Sequence, residues 1–179
     1  MRRYLSLALA AAFCLPVVAP ERAAAALSLE TLRGYVSRLG ARIESTRGSL
    51  LVTSKAAGRG RVEIRLLNDN RKNRLGMYAY GFGNVANAGD RTELFGYLLR
   101  ANSELGVGSF FVDKDDDVGY KVLLDTRDPL SFETFQISYL AMVNAIQEHG
   151  GEIARLAGPD AQREKPVTDP EEDGAGAAR

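Results

Sequence analysis

The sequence predicts an α+β fold, an antiparallel sheet of about five to six strands with helices packed on it, in the order α-β-β-β(-β)-α-β-β-α. Three observations carry this reading. The hydrophobic period switches along the chain between helical spacing and strict alternation. Turn-forming residues separate the alternating stretches at hairpin distance. The helical stretches open on serine or aspartate, the residues that cap a helix start.

The first helix is read from SLETLRGYVSRLG, where Ser28 is the N-cap, Leu29, Leu32, Val36 and Leu39 form the apolar stripe, and Gly40 is the stop. ARIESTRGSLLVTSK then shortens the period, with Arg47-Gly48 as the turn between two short strands. After the loop AAGRG, RVEIRLLND sets Val62, Ile64 and Leu66 on one face and Glu63 and Arg65 on the other. Polar residues 68 to 74 form the next connection, and the run 75 to 82 continues the sheet antiparallel. Alternation places Tyr78, Tyr80 and Phe82 together on one face, which is either the core face or a groove for a partner.

In GDRTELFGYLLRANSELG, Asp90 and Glu93 make a capping-box-like pair, Leu94, Leu98, Ala101 and Leu105 recur at helical spacing, and Gly106 is the stop. Two strands, GSFFVD and GYKVLLD, follow around an acidic turn. The last helix starts at Ser131, with Leu130 and Phe135 placed as a hydrophobic staple and Phe132, Phe135, Tyr139, Val143 and Ile146 as its stripe. Gly150-Gly151 is expected to break or kink it before EIARLA resumes. From residue 158 on, the chain lacks large apolar residues except Val167 and reads as a disordered tail.

The start, MRRYLSLALAAAFCLPVVAPERAAAA, orders two arginines, an apolar run and a small-residue segment as a secretory leader does. The run from Tyr4 to Ala19 is short for a membrane span, so no lasting anchor is expected. A-x-A spacing places cleavage after Ala25 or Ala26, which divides the chain into a leader (1–26), one domain (27–157) and a tail (158–179). Bulky Phe13 before Cys14 speaks against lipidation, and Arg2 and Arg3 sit too near Met1 for a twin-arginine signal. The destination is therefore periplasmic or extracellular.

Composition excludes several activities. With 23 basic and 23 acidic residues the formal charge is zero, which gives no field to hold nucleic acid. One cysteine, Cys14, and one histidine, His149, rule out a Cys/His zinc site and a Cys-His nucleophile pair. FFVDKDDDVGYKV invites comparison with a calcium loop, but with Asp113, Asp115 and Asp117 at positions 1, 3 and 5 the required glycine and glutamate are Val118 and Leu124. The residues 113 to 117 read as an exposed hairpin turn whose solvated carboxylates lack the raised pKa that acid-base catalysis needs. GFGNVA (81–86) matches a dinucleotide fingerprint, yet helix signals begin only at Asp90. His149 reads as a residue near a helix end that suits the dipole. Arg65, Arg71, Lys72 and Arg74 read as a solvated turn around Asp69. No catalytic residue, metal ligand or cofactor site is indicated, and the chain reads as non-enzymatic.

Over residues 28 to 157 the element order, with RTELFGYLLRANSELGVGSFFVDKDDDVGYKVLL, resembles the bacterial YbjN-type family, described as sensory-transduction regulators with a fold similar to type III secretion chaperones. The matching pieces are a leucine-rich helix ending in Arg100-Ala101-Asn102, a short connector, GSFFVD, and a strand beginning VGYKV. The resemblance implies a protein-binding or regulatory module with an unknown protein partner, a homodimer being one assembly the fold suggests, and no catalytic residues to carry over. The leader departs from it, since cytosolic secretion chaperones act before export. Asn102 is the motif position worth marking, and its amide is expected to cap backbone groups at the helix end. The other reading is a small-molecule or metal sensor that uses the acidic hairpin.

Overall fold

The computed structural model describes residues 27–58 and 60–158. The expected leader (1–26) and the tail beyond Gly158 lie outside the described residues. The element order is α1 (Leu29–Arg38), β1 (Arg42–Arg47), β2 (Leu50–Ala57), β3 (Gly60–Asp69), β4 (Arg74–Ala79), α2 (Arg91–Glu104), β5 (Ser109–Val112), β6 (Val118–Asp125) and α3 (Phe132–Ala157). This is the order read from the sequence.

Each helix opens on the expected cap. Ser28 Oγ accepts from Thr31 N at 3.0 Å, Asp90 from Thr92 N and Glu93 N at 2.8 and 3.2 Å, and Ser131 Oγ from Thr134 N at 3.0 Å. Gly40, at φ +65°, follows the end of α1 in the left-handed conformation that a β-carbon opposes.

The six strands form one antiparallel sheet in the order β1-β2-β3-β4-β6-β5. β1 to β4 are joined by successive tight turns. The chain then crosses through α2 to the edge strand β5 and returns by the acidic hairpin, so that β6 pairs with β4. Two turns differ from expectation: the β1–β2 turn sits at Gly48-Ser49, one residue later, and the AAGRG turn is tighter, since strand pairing runs through Ala57 and resumes at Gly60. β1 is exposed at five of its six residues and carries a bulge between Ile43 and Ser45.

All three helices contribute buried residues to one core against one face of the sheet. Leu51, Ile64, Leu66, Leu75, Met77 and Tyr120 from the strands meet Leu32, Leu94, Phe135, Tyr139, Met142 and Ile153 from the helices, all fully buried. Thr53 is matched in this core: it donates to Ile64 O at 2.9 Å, which leaves its oxygen to accept from Tyr139 O–H at 2.9 Å, whereas buried Asn68 Oδ1 has no partner among the described residues. Buried Asn68 donates to Leu27 O at 2.6 Å and ties the start of α1 to β3.

α3 does not break at Gly150-Gly151, because its 26 residues run through both glycines. The missing side chain at Gly150 is used for packing. A β-carbon there would lie 3.1 Å from Cε1 of Phe82, so the glycine lets that ring reach the helix. His149 consequently sits well inside a helix and not near its end, and it is buried.

Candidate functional site

Among the described residues no helix covers the second face of the sheet, and its central rows are set by register. Arg65 on β3 pairs Tyr78 on β4, Tyr78 pairs Lys121 on β6, and Lys121 pairs Ser109 on β5. Because β-strand side chains point alternately to opposite faces, these four residues share the outer face. In the adjacent row Phe111 pairs Gly119, and Tyr80 continues β4 on the same side as Tyr78.

Two glycines shape this surface. A β-carbon at Gly76 would lie 2.4 Å from Cε2 of Tyr78, and one at Gly119 would lie 2.7 Å from Cζ of Phe111. Both rings therefore rest on bare backbone that any larger residue would occupy. Tyr78 and Tyr80 stack with centroids 6.5 Å apart and 15° between planes, while Phe111 meets Tyr80 edge-on at 5.8 Å. Arg65 stands over the Tyr80 ring at 5.5 Å and Lys121 over Phe111 at 5.1 Å, each close enough for a cation–π attraction. Glu63 holds Arg65 Nε at 3.2 Å. Tyr80 is 39% exposed, and Leu123, one row beyond Lys121 on the other side, is 46% exposed. The result is a ridge of three aromatic rings between two cations.

Phe82 does not belong to it. Gly81 and Gly83 take φ of +92° and +107°, which ends the alternation, and Phe82 turns into the core against Phe110 with centroids 5.9 Å apart. The expectation that Tyr78, Tyr80 and Phe82 share one face holds for the two tyrosines alone. Phe111 and Lys121 went unmarked in the sequence. Their signal was the alternation of SFFV opposite VGYKV, which puts Phe111 and Lys121 on the face opposite Phe110 and Tyr120.

Asn102 faces the protein interior side of its helix. Its Oδ1 accepts from Phe110 N at 2.7 Å and its Nδ2 donates to Phe110 O at 3.1 Å. It satisfies backbone groups as expected, but those of β5 and not those of the helix end.

The residues 113 to 117 form the β5–β6 hairpin turn, closed by Asp113 N to Asp117 O at 3.0 Å. Asp113 Oδ1 accepts from the amides of Asp115 and Asp117, both at 2.9 Å, and Asn84 Nδ2 donates to Asp117 Oδ1 at 2.7 Å. Asp116 carries φ +62°. Among the described residues no three His, Cys, Asp or Glu side chains converge as a metal site would require.

GFGNVA connects β4 to a 3-10 turn at Val85–Asn87, and the helix opens only at Arg91. Gly83 is there for contact, since a β-carbon on it would lie 2.6 Å from Gly158 O. His149 Nδ1 lies 3.1 Å from the Tyr97 hydroxyl, and its ring meets Phe110 edge-on. Burial, then the nearby Glu152, Glu104 and Glu148, push the Tyr97 phenol up, which suits a hydrogen-bonded neutral group. In the basic turn Asp69 faces Lys72 at 3.7 Å and Arg74 at 3.8 Å, so its charge is partly compensated in place. Among the described residues no helix is long and apolar enough to cross a membrane.

No protein-family profile matches the sequence, and no curated protein matches it. Solved structures do. The crystal structure of YbjN from E. coli is similar over 75% of this chain and 98% of that chain, with a TM-score of 0.52 at 17% identity. The ExsC–ExsE complex is similar over 72% and 91% (TM-score 0.45, 19% identity), and the HopA1–SchA chaperone–effector complex over 64% and 88% (TM-score 0.44, 12% identity). The sheet and helix arrangement of this chain is the YbjN-type fold.

Proposed function

From a YbjN-type fold as the premise, we infer that this chain is a non-enzymatic protein-binding or regulatory module that works after export, in the periplasm or outside the cell. The observation that carries the binding half is the ridge of Tyr78, Tyr80 and Phe111 between Arg65 and Lys121. Aromatic residues and arginine are the types that anchor protein partners, because they offer a large rigid area together with polar edges. The export half rests on the charged start, apolar run and small-residue segment of residues 1 to 26. The sensor reading has no comparable support, since Asp113 already accepts hydrogen bonds within the turn and Asp117 accepts one from Asn84.

The test uses two readouts. Mass spectrometry of protein recovered from the periplasm should give a chain that begins at Ala26 or Leu27; a cytosolic chain retaining Met1 rejects the export half. A partner captured by the wild type should be lost with Tyr80→Ala and Phe111→Ala at an unchanged melting temperature. Capture that survives both substitutions rejects the ridge as the binding surface. Light scattering on the same samples reads whether the chain pairs with itself.

A further inference from the structure

We propose that the aromatic ridge takes an extended, proline-rich peptide with carboxylates three residues apart, laid across the strands in the polyproline II conformation. This partner class rests on the reading of the ridge as a binding surface and deepens it. The centre of the ridge lies on β3, β4 and β6, each of which is paired on both sides within the sheet. A partner there finds no open strand edge to extend, so it must bind through side chains. A helix lays its apolar stripe into a groove, whereas the rings of Tyr78, Tyr80 and Phe111 form a ridge. A polyproline II segment needs neither an edge nor a groove for its backbone, because it makes no internal hydrogen bonds and docks on aromatic side chains.

Spacing selects the carboxylate pattern. Arg65 pairs Tyr78 and Tyr78 pairs Lys121, so the two cations are rooted two strands apart with a ring between them. At a strand spacing of about 4.8 Å that separation is about 9.6 Å. Polyproline II repeats every three residues at about 3.1 Å each, so side chains i and i+3 share an edge about 9.3 Å apart. An acidic edge of such a segment therefore matches the Arg65–Lys121 row. The adjacent edge, one residue along, then lies toward Tyr80 and Phe111, and proline is the residue that packs its ring there and holds the extended form.

Charge selects the sign. Lys121 stands over the Phe111 ring at 5.1 Å and has no ion-pair partner among the described residues. Arg65 is held by Glu63, whose side chain is 56% exposed, so exchanging that carboxylate for one on a peptide gives up only a surface pair. Both cations already lie against rings, so a carboxylate that meets them is drawn down onto the same surface that the prolines cover. A basic or neutral segment would leave Lys121 without a counter-charge beneath it.

The test titrates the full chain with the blocked peptide Glu-Pro-Ala-Glu-Pro-Ala-Glu-Pro and follows backbone amides by NMR. The amides of Tyr78, Tyr80, Phe111 and Lys121 should shift, and that of Leu32 on α1 should not. The same residues reordered as Glu-Ala-Glu-Pro-Glu-Pro-Pro-Ala, which breaks the three-residue spacing, should bind about fivefold more weakly, the size of one surface ion pair. Lys121→Gln should weaken the first peptide by about the same factor, and Lys121→Arg should restore it. Affinity should fall as salt is raised to about 0.5 M, where the screening length is about 4 Å. No shift at about 1 mM peptide, equal affinity for the reordered peptide, or shifts confined to residues off the ridge overturns the proposal. If the peptide fails while a captured partner still requires Tyr80 and Phe111, the peptide class is rejected and the ridge reading stands. Self-association lost in Tyr80→Ala would then identify the occupant as a second copy, and ridge shifts with trigalacturonate would identify it as an acidic polysaccharide. If the peptide binds the ridge while capture survives both alanine substitutions, the peptide site stands and the captured protein binds elsewhere.

Discussion

Asn102 and Phe110 are joined by a two-way amide pair, in which the side chain of one mimics a neighbouring strand for the backbone of the other. Phe110 lies on β5, an edge strand of four residues, and its ring packs on Tyr120 and His149. The pair thus fastens the short edge of the sheet to α2. Asn102→Ala should cost about 1–3 kcal/mol, since the Phe110 N–H is left without its acceptor. Asn102→Asp should recover only part, because a carboxylate still accepts from the N–H but repels the Phe110 carbonyl. Urea unfolding and hydrogen exchange at the Phe110 amide measure both.

The acidic turn should split into two classes of position. Asp115→Asn with Asp116→Asn is expected to change stability by no more than about 0.5 kcal/mol, because both side chains are exposed and asparagine accepts the positive φ of residue 116. Asp113→Ala should cost about 1–2 kcal/mol, because two backbone amides lose their acceptor. Calorimetric titration of the wild type with calcium should show no stoichiometric binding tighter than about 10 μM, the range of sensor sites.

Gly76→Ala should displace the Tyr78 ring, since the new methyl group would sit where that ring now lies. Gly76 is not among the glycines at positive φ, so the effect is one of contact and not of backbone strain. The expected result is an altered near-UV circular dichroism signal with weakened partner capture and a stability loss of about 1–2 kcal/mol.

Phe135→Ala should cost about 3–5 kcal/mol and lower Tm by about 10 °C or more. Phe135 is fully buried between Tyr35 at 5.5 Å and Tyr139 at 5.7 Å, so its loss opens a cavity in the core. Thermal melts decide this; an unchanged Tm with lost self-association would place the residue at an interface instead.

Stability should fall in alkali. Burial pushes the Tyr120 phenol up to about 12 from an ordinary 10.0, and burial raises Tyr139 and Tyr97 as well. Above about pH 10 the unfolded chain releases these protons while the folded chain keeps them, so the folded state binds more protons and stability declines with rising pH. The contribution of Tyr120 is whole below about pH 10 and lost as pH rises through about 12. Tyr120→Phe should flatten part of that decline in urea melts across the same window, beyond its fixed loss of the hydrogen bond to Val107 O.

Local signals in the sequence were enough for the elements but not for all the side chains they position. Ser28, Asp90 and Ser131 announce the helix starts because capping is decided within three residues. The alternation of Val62, Ile64 and Leu66 settles which face of β3 is buried. Phe82 leaves the face that alternation predicts because one positive φ at Gly81 resets the alternation, and a glycine does not state its φ in advance. Gly150 looked like a breaker because its partner, Phe82, is distant in sequence. The sequence points to Asn102 as a backbone-binding residue, but its target on β5 is set only once the chain has crossed over. The ridge itself was half visible: Tyr78 and Tyr80 stood out by spacing, while Phe111 joins them through a strand pairing that no local window contains.

The first strand has a consequence for how the molecule lives in a crowded compartment. A sheet flank normally invites another chain to extend it, which is how fibrils begin. Here the flank is β1, and its arginines, glutamate and bulge turn away any strand that approaches in register. An arriving strand would have to desolvate Arg42 and Glu44, which already face each other at 3.5 Å, and would find the strand bulged at Glu44. Replacing these charges with valine would convert a closed margin into a template for aggregation while leaving the apolar core unchanged.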